Sequence, residues 1–357
     1  MNQKISSGQS MAISVALIFA MFPGFANSLI LSQSKNASLL AVLIGFILGI
    51  IPALTIAYIS KKINTDFFSF TKEKFKFLAY PIIIIILIFS LLITSISSWV
   101  SIDFIISQFL TRSSYYLIAI LISVVSAIVI NKGIEPLSRT VFMLFIMSVS
   151  IIIILLMTIA PYIELDNLKP YIDTSYKNII KSSISYITIS ICPLFFILNL
   201  KGITKDKDNF ARKILVGYTV ATFLIFVLLF FIISVYGIEL GSLLTYPIYG
   251  LFKKVQIFGF VERVENFASI FLITASFSQI AYLTYFMKDN ISLIFKIKNS
   301  KKRALLTYAL SIIIPIVSIF LFKTFELSLY IKYIPIIFCL FFIIILIYFI
   351  RCLFIKN

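Results

Sequence analysis

Of the 357 residues, 61% are hydrophobic, the mean hydropathy is +1.09, and apolar segments of membrane-spanning length recur from end to end. This leaves no room for a soluble domain and predicts an all-α polytopic membrane protein. There are no histidines, and the three cysteines, Cys192, Cys339 and Cys352, form no Cys-x-x-Cys pair; histidine-based catalysis and a Cys/His zinc cage are excluded, and no metal or other cofactor is expected.

In chain order, the first apolar run, Met11 to Leu31, is just long enough to cross a bilayer as one helix, yet Pro23-Gly24 falls near its middle. Proline removes a backbone donor and glycine tolerates the open conformation that follows. In hydrocarbon such a break survives only where protein or a cavity takes up the freed groups, so it serves either as a packing kink or as a binding site. The run is too long, and too closely followed by others, for a cleaved signal peptide. Ten spans are expected, roughly 11–31, 37–60, 79–101, 115–131, 140–160, 182–200, 214–236, 265–287, 304–322 and 333–351, forming one transmembrane domain over residues 1–357.

With the N-terminus in the cytoplasm, the inner segments and helix ends carry 21 Lys/Arg and 6 Asp/Glu, the outer ones 10 and 8. The positive-inside rule then predicts both termini cytoplasmic. The net charge of +17 reads as topology and attraction to anionic lipid rather than nucleic-acid binding. Its clusters, at Lys61 to Lys76, Lys201 to Lys213 and Lys296 to Arg303, read as solvated cytoplasmic loops. Two outer connections are long: Tyr162 to Lys181, and Gly237 to Val264, in which the apolar but interrupted stretch Leu243 to Phe260 suggests a re-entrant or lid segment.

Span six carries Cys192-Pro193 about as far from its start as Pro23-Gly24 lies in span one. The ten spans then divide into a five-plus-five inverted repeat, about 11–160 and 182–351, each half opening with a broken helix. Paired interruptions of this kind point to a midplane site. Thr94, Ser97, Ser98 and Ser101 put four hydroxyls on one face of span three, and Ser269, Ser276 and Gln279 form a sparser stripe on span eight. Glu262, Arg263, Glu265 and Asp103 fall at the outer mouth, and no acid lies deep in a span.

At the first break, carbonyls near Met21 and free amides of Phe25 and Ala26 would face the midplane; at the second, carbonyls of Ser190 and Ile191 and amides of Leu194 and Phe195. A zwitterion suits that arrangement. Its side chain would meet Phe22, Phe25, Phe195 and Phe196, favouring a small or apolar amino acid. The candidate ligand-binding residues are Phe22, Pro23, Gly24, Phe25, Ala26, Ser97, Ser98, Ser190, Ile191, Cys192, Pro193 and Ser276.

Four segments occur in an order that resembles one family. Asn131-Lys-Gly-Ile-Glu-Pro-Leu-Ser-Arg139 resembles the Gly-Ile-Glu-x-x-x-Arg segment of the spore-germination receptor B-subunit family, within the amino acid, polyamine and organocation transporter superfamily. Leu165-Asp-Asn-Leu-Lys-Pro170, Leu244-Thr-Tyr-Pro247 and Phe260-Val-Glu-Arg-Val-Glu265 follow. In span six, Ile191-Cys-Pro-Leu-Phe-Phe196 departs from the family's Phe-Gly-Glu-like stretch, having neither glycine nor acid. The resemblance implies a ten-helix inverted repeat with a nutrient site, usually for an amino acid, between spans one, three, six and eight. It also implies a membrane-anchored A-type subunit and a lipoprotein C-type subunit as partners in the spore's inner membrane. Two readings stay open: a germinant-sensing subunit, or a stand-alone amino-acid permease working by alternating access. Without histidine, a metal constellation or a buried acid pair, no enzyme is expected.

Overall fold

The computed structural model describes residues 4–63, 65–253, 265–324 and 333–354. In hydrocarbon each backbone donor and acceptor has to be satisfied within its own segment, and the apolar runs accordingly form helices. They are α1 (Ser7–Phe19), α2 (Asn27–Ser34), α3 (Ser38–Lys62), α4 (Phe67–Phe75), α5 (Ala79–Gln108), α6 (Tyr115–Asn131), α7 (Ile134–Ile159), α8 (Tyr176–Phe195), α9 (Lys207–Leu243), α10 (Pro247–Lys253), α11 (Glu265–Ile294), α12 (Ser300–Thr324) and α13 (Ile334–Leu353). Among the described residues, eight helical stretches are long and apolar enough to cross a membrane, and α1 and α6 are shorter apolar helices.

The interior consists of α1, α8 and α11, wrapped by α3, α5, α7 and α9. Large apolar side chains such as Ile51, Ile120, Met143, Ile316 and Ile336 face outward from the surrounding helices, as a hydrocarbon solvent allows. α3 lies close against α8: a Cβ added at Gly45 would come within 2.7 Å of the Tyr186 ring. Small residues permit this close approach of backbones where lipid supplies no hydrophobic drive between helices.

Several boundaries differ from the sequence expectation for local reasons. α1 starts at Ser7 rather than near residue 11, because Ser6 and Gln9 form a capping box. α7 starts at Ile134 after a turn at Gly133 (φ 102°), and its first turn is braced by the Glu135–Arg139 ion pair at 2.5 Å. Residues 67–75, expected to be loop, form α4, whose N-terminus is capped by the Asp66 carboxylate accepting from the Ser69 N–H at 2.8 Å. The interruption expected at Cys192-Pro193 takes a milder form than a break. α8 runs through Pro193 to Phe195 and then tightens into a 3-10 helix, Phe196–Ile203.

Candidate functional site: a cleft at the interruption of the first helix

Between α1 and α2 the backbone leaves the helical conformation at Gly24 (φ −90°, ψ −120°), within a wide turn spanning Phe22–Ala26. The turn closes on itself: the Ala26 N–H donates to the Met21 carbonyl at 3.3 Å and the Asn27 N–H to the Phe22 carbonyl. The Met21 carbonyl and Ala26 amide expected to be free for a ligand are therefore engaged with each other. One turn earlier, the Leu17 carbonyl accepts from Gln279 Nε2 at 2.6 Å, and the Gln279 carbonyl oxygen accepts from the Ser97 hydroxyl. Three residues along α11, the Tyr282 hydroxyl donates to the Phe196 carbonyl at 2.8 Å, where α8 has become 3-10 helix. Residues three apart share a helix face, so one buried face of α11 stitches both irregular helices.

Beside the break lies a small cleft lined by Ala20, Pro23, Gly24, Val100, Ser101 and Ser276, with Phe104, Leu272 and Ile273 behind them and Tyr246 across the mouth. It holds about 250 Å³ between atoms, but the centre of a water-sized sphere finds only about 10 Å³, room for about one water. The cleft is closed in this conformation. Tyr246 closes it by donating its hydroxyl to Asp103 at 2.7 Å and, at 3.3 Å, to the Val100 carbonyl, while its ring packs edge-on against Phe104 at 4.9 Å. Burial and the neighbouring Asp103 carboxylate push the Tyr246 phenol well above its ordinary pKa, so it remains a donor. α10 follows Tyr246 and lies over the end of α5, with Tyr249 on Phe104 and Phe109, and Lys253 Nζ bonded to Gln108 at 3.1 Å. The expected lid is thus a packed helix over 247–253; residues 254–260, with Glu262 and Arg263, lie outside the described residues.

The predicted residues divide between this cleft and other contacts. Pro23, Gly24 and Ser276 line the cleft, and Ser101 joins them from α5. A Cβ added at Gly24 would come within 2.7 Å of Val100 Cγ1, so α5 approaches the break as closely as glycine permits. Phe22 packs on Tyr186 at 5.6 Å, and Phe25 and Ala26 are buried. Ser97 is engaged with Gln279, whereas the fully buried Ser98 hydroxyl has no partner among the described residues. Ser190 bonds back to the Tyr186 carbonyl, and the Cys192 thiol reaches the Phe338 carbonyl of α13 at 3.2 Å. Ser190, Ile191, Cys192 and Pro193 are all buried in α8 but do not line the cleft. Phe195 and Phe196, expected beside the ligand, turn instead into an aromatic cluster with Phe67, Phe286, Phe341 and Tyr348. Three residues outside the candidate set matter: Ser101, Tyr246, and Asn27, a fully buried amide immediately after the turn with neither side-chain atom partnered among the described residues.

The segments that carried the family resemblance occupy structural joints. Gly133, Glu135 and Arg139 make the α6–α7 turn. Asn167 donates to the Ser234 carbonyl at 3.1 Å, beside the kink of α9 at Gly237. Tyr246, from the third segment, closes the cleft; the fourth lies outside the described residues apart from Glu265, the first residue of α11. A family described as "Spore germination protein" matches residues 4–327, nearly the whole chain. The chain belongs to the spore germination protein family. Among relatives, spore germination protein YndE of Bacillus subtilis (strain 168) is 21% identical over 263 residues, 72% of each chain. Among solved structures, the fold is similar to Mhp1, a nucleobase-cation-symport-1 family transporter in a closed conformation with bromovinylhydantoin bound, at TM-score 0.63 and 13% identity, covering 88% of this chain and 72% of that one. It is also similar to a Na⁺-coupled sialic acid symporter, at TM-score 0.66 and 13% identity, covering 98% and 79%. This spore germination protein is therefore a multi-pass, B-type family member with a transporter-like fold, in a family of germination proteins rather than enzymes.

Proposed function

We propose that the chain is the nutrient-binding subunit of a spore germinant receptor: a small amino acid occupies the cleft at Gly24, and its occupancy shifts a conformational equilibrium read by A-type and C-type subunits in the spore's inner membrane. The observation that carries this reading is the convergence of Pro23-Gly24, Ser101 and Ser276 on one cleft under the Tyr246 lid. Ligand sites in such folds lie at interrupted helices, and a cleft closed to about one water is one of the two states a ligand-driven shift requires. Asn27 and Ser98 supply polar atoms near the break that are unpaired among the described residues, the kind of group that a ligand or water completes.

The proposed topology has ten crossings in two inverted halves with both termini cytoplasmic, α1 and α6 counting as spans. In support, segments assigned to the cytoplasmic side touch one another: Ile5 with Ile203, Ser7 with Asp206, Lys74 with Arg351, Asp289 with Arg303. Those assigned outside do likewise: Asn36 with Asp173, Gln108 with Lys253, Asp103 with Tyr246. The solved structures similar to this one are transporters, which keeps the stand-alone permease as the second reading.

The test is binding of labelled alanine, leucine or valine to purified protein. Gly24→Leu fills the approach to Val100 and should abolish binding in a variant that still inserts and accumulates in the membrane. Pro52→Ala, inside α3 and away from the cleft, should stay within a few-fold of wild type. Equal losses at the two sites would reduce the break to a packing kink.

A further inference from the structure

A second groove, independent of the nutrient cleft, lies where α4, α5 and α13 meet. α4 buries Phe67, Phe68 and Phe70 and exposes Lys72 and Glu73. It is held to α13 by the Thr71 and Tyr348 hydroxyls at 2.7 Å, by Phe75 on Tyr348 at 4.9 Å, and by Arg351 Nε donating to the Lys74 carbonyl at 2.8 Å. Past α4 the chain reverses at Lys76 and Phe77 and enters α5. The first turn of α5 and the last turns of α13 leave a groove between Leu78, Pro81 and Ile82 on one wall and Ile347, Ile350 and Phe354 on the other, with Arg351 also lining it and about 460 Å³ open to water-sized centres.

Phe354, on the groove's wall, is 76% exposed, and Phe77, next to Leu78 in the chain, is 88% exposed. Exposed apolar side chains of this size suit a hydrocarbon surround. The same few residues supply Lys72, Lys74, Lys76 and Arg351, with one carboxylate, Glu73, which pairs with Lys74 at 2.5 Å. Cations cannot lie in hydrocarbon and extend to the headgroup level, so the groove sits at the interface, apolar along its length and positive at its rim. From Ile347 to Phe354 it runs for about 10 Å of helix. We propose that this groove binds an anionic phospholipid of the surrounding bilayer, with a stretch of acyl chain between α5 and α13 and the phosphate at the rim formed by Arg351, Lys72 and Lys76. A zwitterionic headgroup brings its own cation to that rim and is disfavoured.

The full chain, extracted from vesicles of equal phosphatidylglycerol and phosphatidylcholine, tests this by native mass spectrometry of the lipid it retains. Wild type should retain phosphatidylglycerol preferentially. Lys72→Gln/Lys76→Gln, which removes two exposed cations whose side chains make no hydrogen bond or ion pair among the described residues, should lower that preference by about fivefold or more. Ile82→Trp, which fills the groove without changing charge, should lower retention of phosphatidylglycerol as well. Lys205→Gln/Arg212→Gln, just before α9 and within its first turns, should leave it unchanged. Equal retention of both lipids by wild type, an equal loss in the control pair, or a polypeptide held in place of lipid would overturn the proposal.

Discussion

Gln279 shows how a single side chain holds a broken membrane helix together. Its amide gives Nε2 to the Leu17 carbonyl and takes the Ser97 hydroxyl on its oxygen, joining α1, α5 and α11 in the buried interior. Replacing it by leucine leaves two buried polar groups unpaired, at about 1–3 kcal/mol each. Gln279→Leu should therefore lower the thermal midpoint of the purified protein clearly more than Tyr282→Phe, which removes one hydrogen bond worth about 1 kcal/mol. Equal midpoints for the two variants would mean that the Leu17 carbonyl finds another donor. Gln279 stood out in the sequence as a polar residue in an apolar helix, but its partners did not, being 182 and 262 residues away. The Pro23-Gly24 break was legible for the opposite reason: loss of a donor and of a Cβ is local chemistry. What the dipeptide could not reveal is that a wide turn pairs Met21 with Ala26 and removes both from the ligand's reach.

At the scale of elements, regularity was easier to read than its exceptions. Apolar length placed the long helices, while the starts of α1 and α7 depended on a capping box and a turn glycine that hydropathy ignores. Cys192-Pro193 resembled Pro23-Gly24 in position, yet without a following glycine the helix only narrowed to 3-10 and carried Phe195 and Phe196 away from the cleft. The lysines of 72–76 concealed α4, whose buried face is four residues wide. Gly237 to Val264 stood out as a re-entrant or lid segment, but the bond that holds its described part did not: Tyr246 reaches Asp103 across 143 residues. A hydrogen bond to a charged group is worth about 1.5–3 kcal/mol, tenfold or more in an equilibrium. In a Ser276→Cys, Cys339→Ser background, Tyr246→Phe should speed thiol labelling at position 276 by about tenfold, since the buried Cys192 and Cys352 contribute little background. An unchanged rate would assign closure to the packing of α10 alone.

The whole molecule pairs a transporter-like architecture with a cleft poor in the groups that concentrative transport uses. Solved transporters share the fold at 13% identity, which carries the architecture and leaves the coupling to this chain's own residues. A carrier that works uphill couples substrate to an ion, and a proton-coupled one needs a buried group, most often a carboxylate, that titrates as the site opens and closes. No acid lines the cleft among the described residues; Asp103 is held by Tyr246 at its mouth, and Asp289 pairs with Arg303 at 2.9 Å. A sensor needs only a ligand whose affinity differs between two states, and a two-state shift from 1:99 to 99:1 takes a difference of about 10⁴ in that affinity. Reconstituted in liposomes, the protein should bind alanine, leucine or valine with about micromolar to millimolar affinity, set by the few atoms so small a ligand offers. It should fail to accumulate any of them under an imposed proton or sodium gradient. Gradient-driven uptake that disappears in Gly24→Leu would make the same cleft a transport site, and the molecule would then have to alternate access about it rather than report its occupancy to partner subunits.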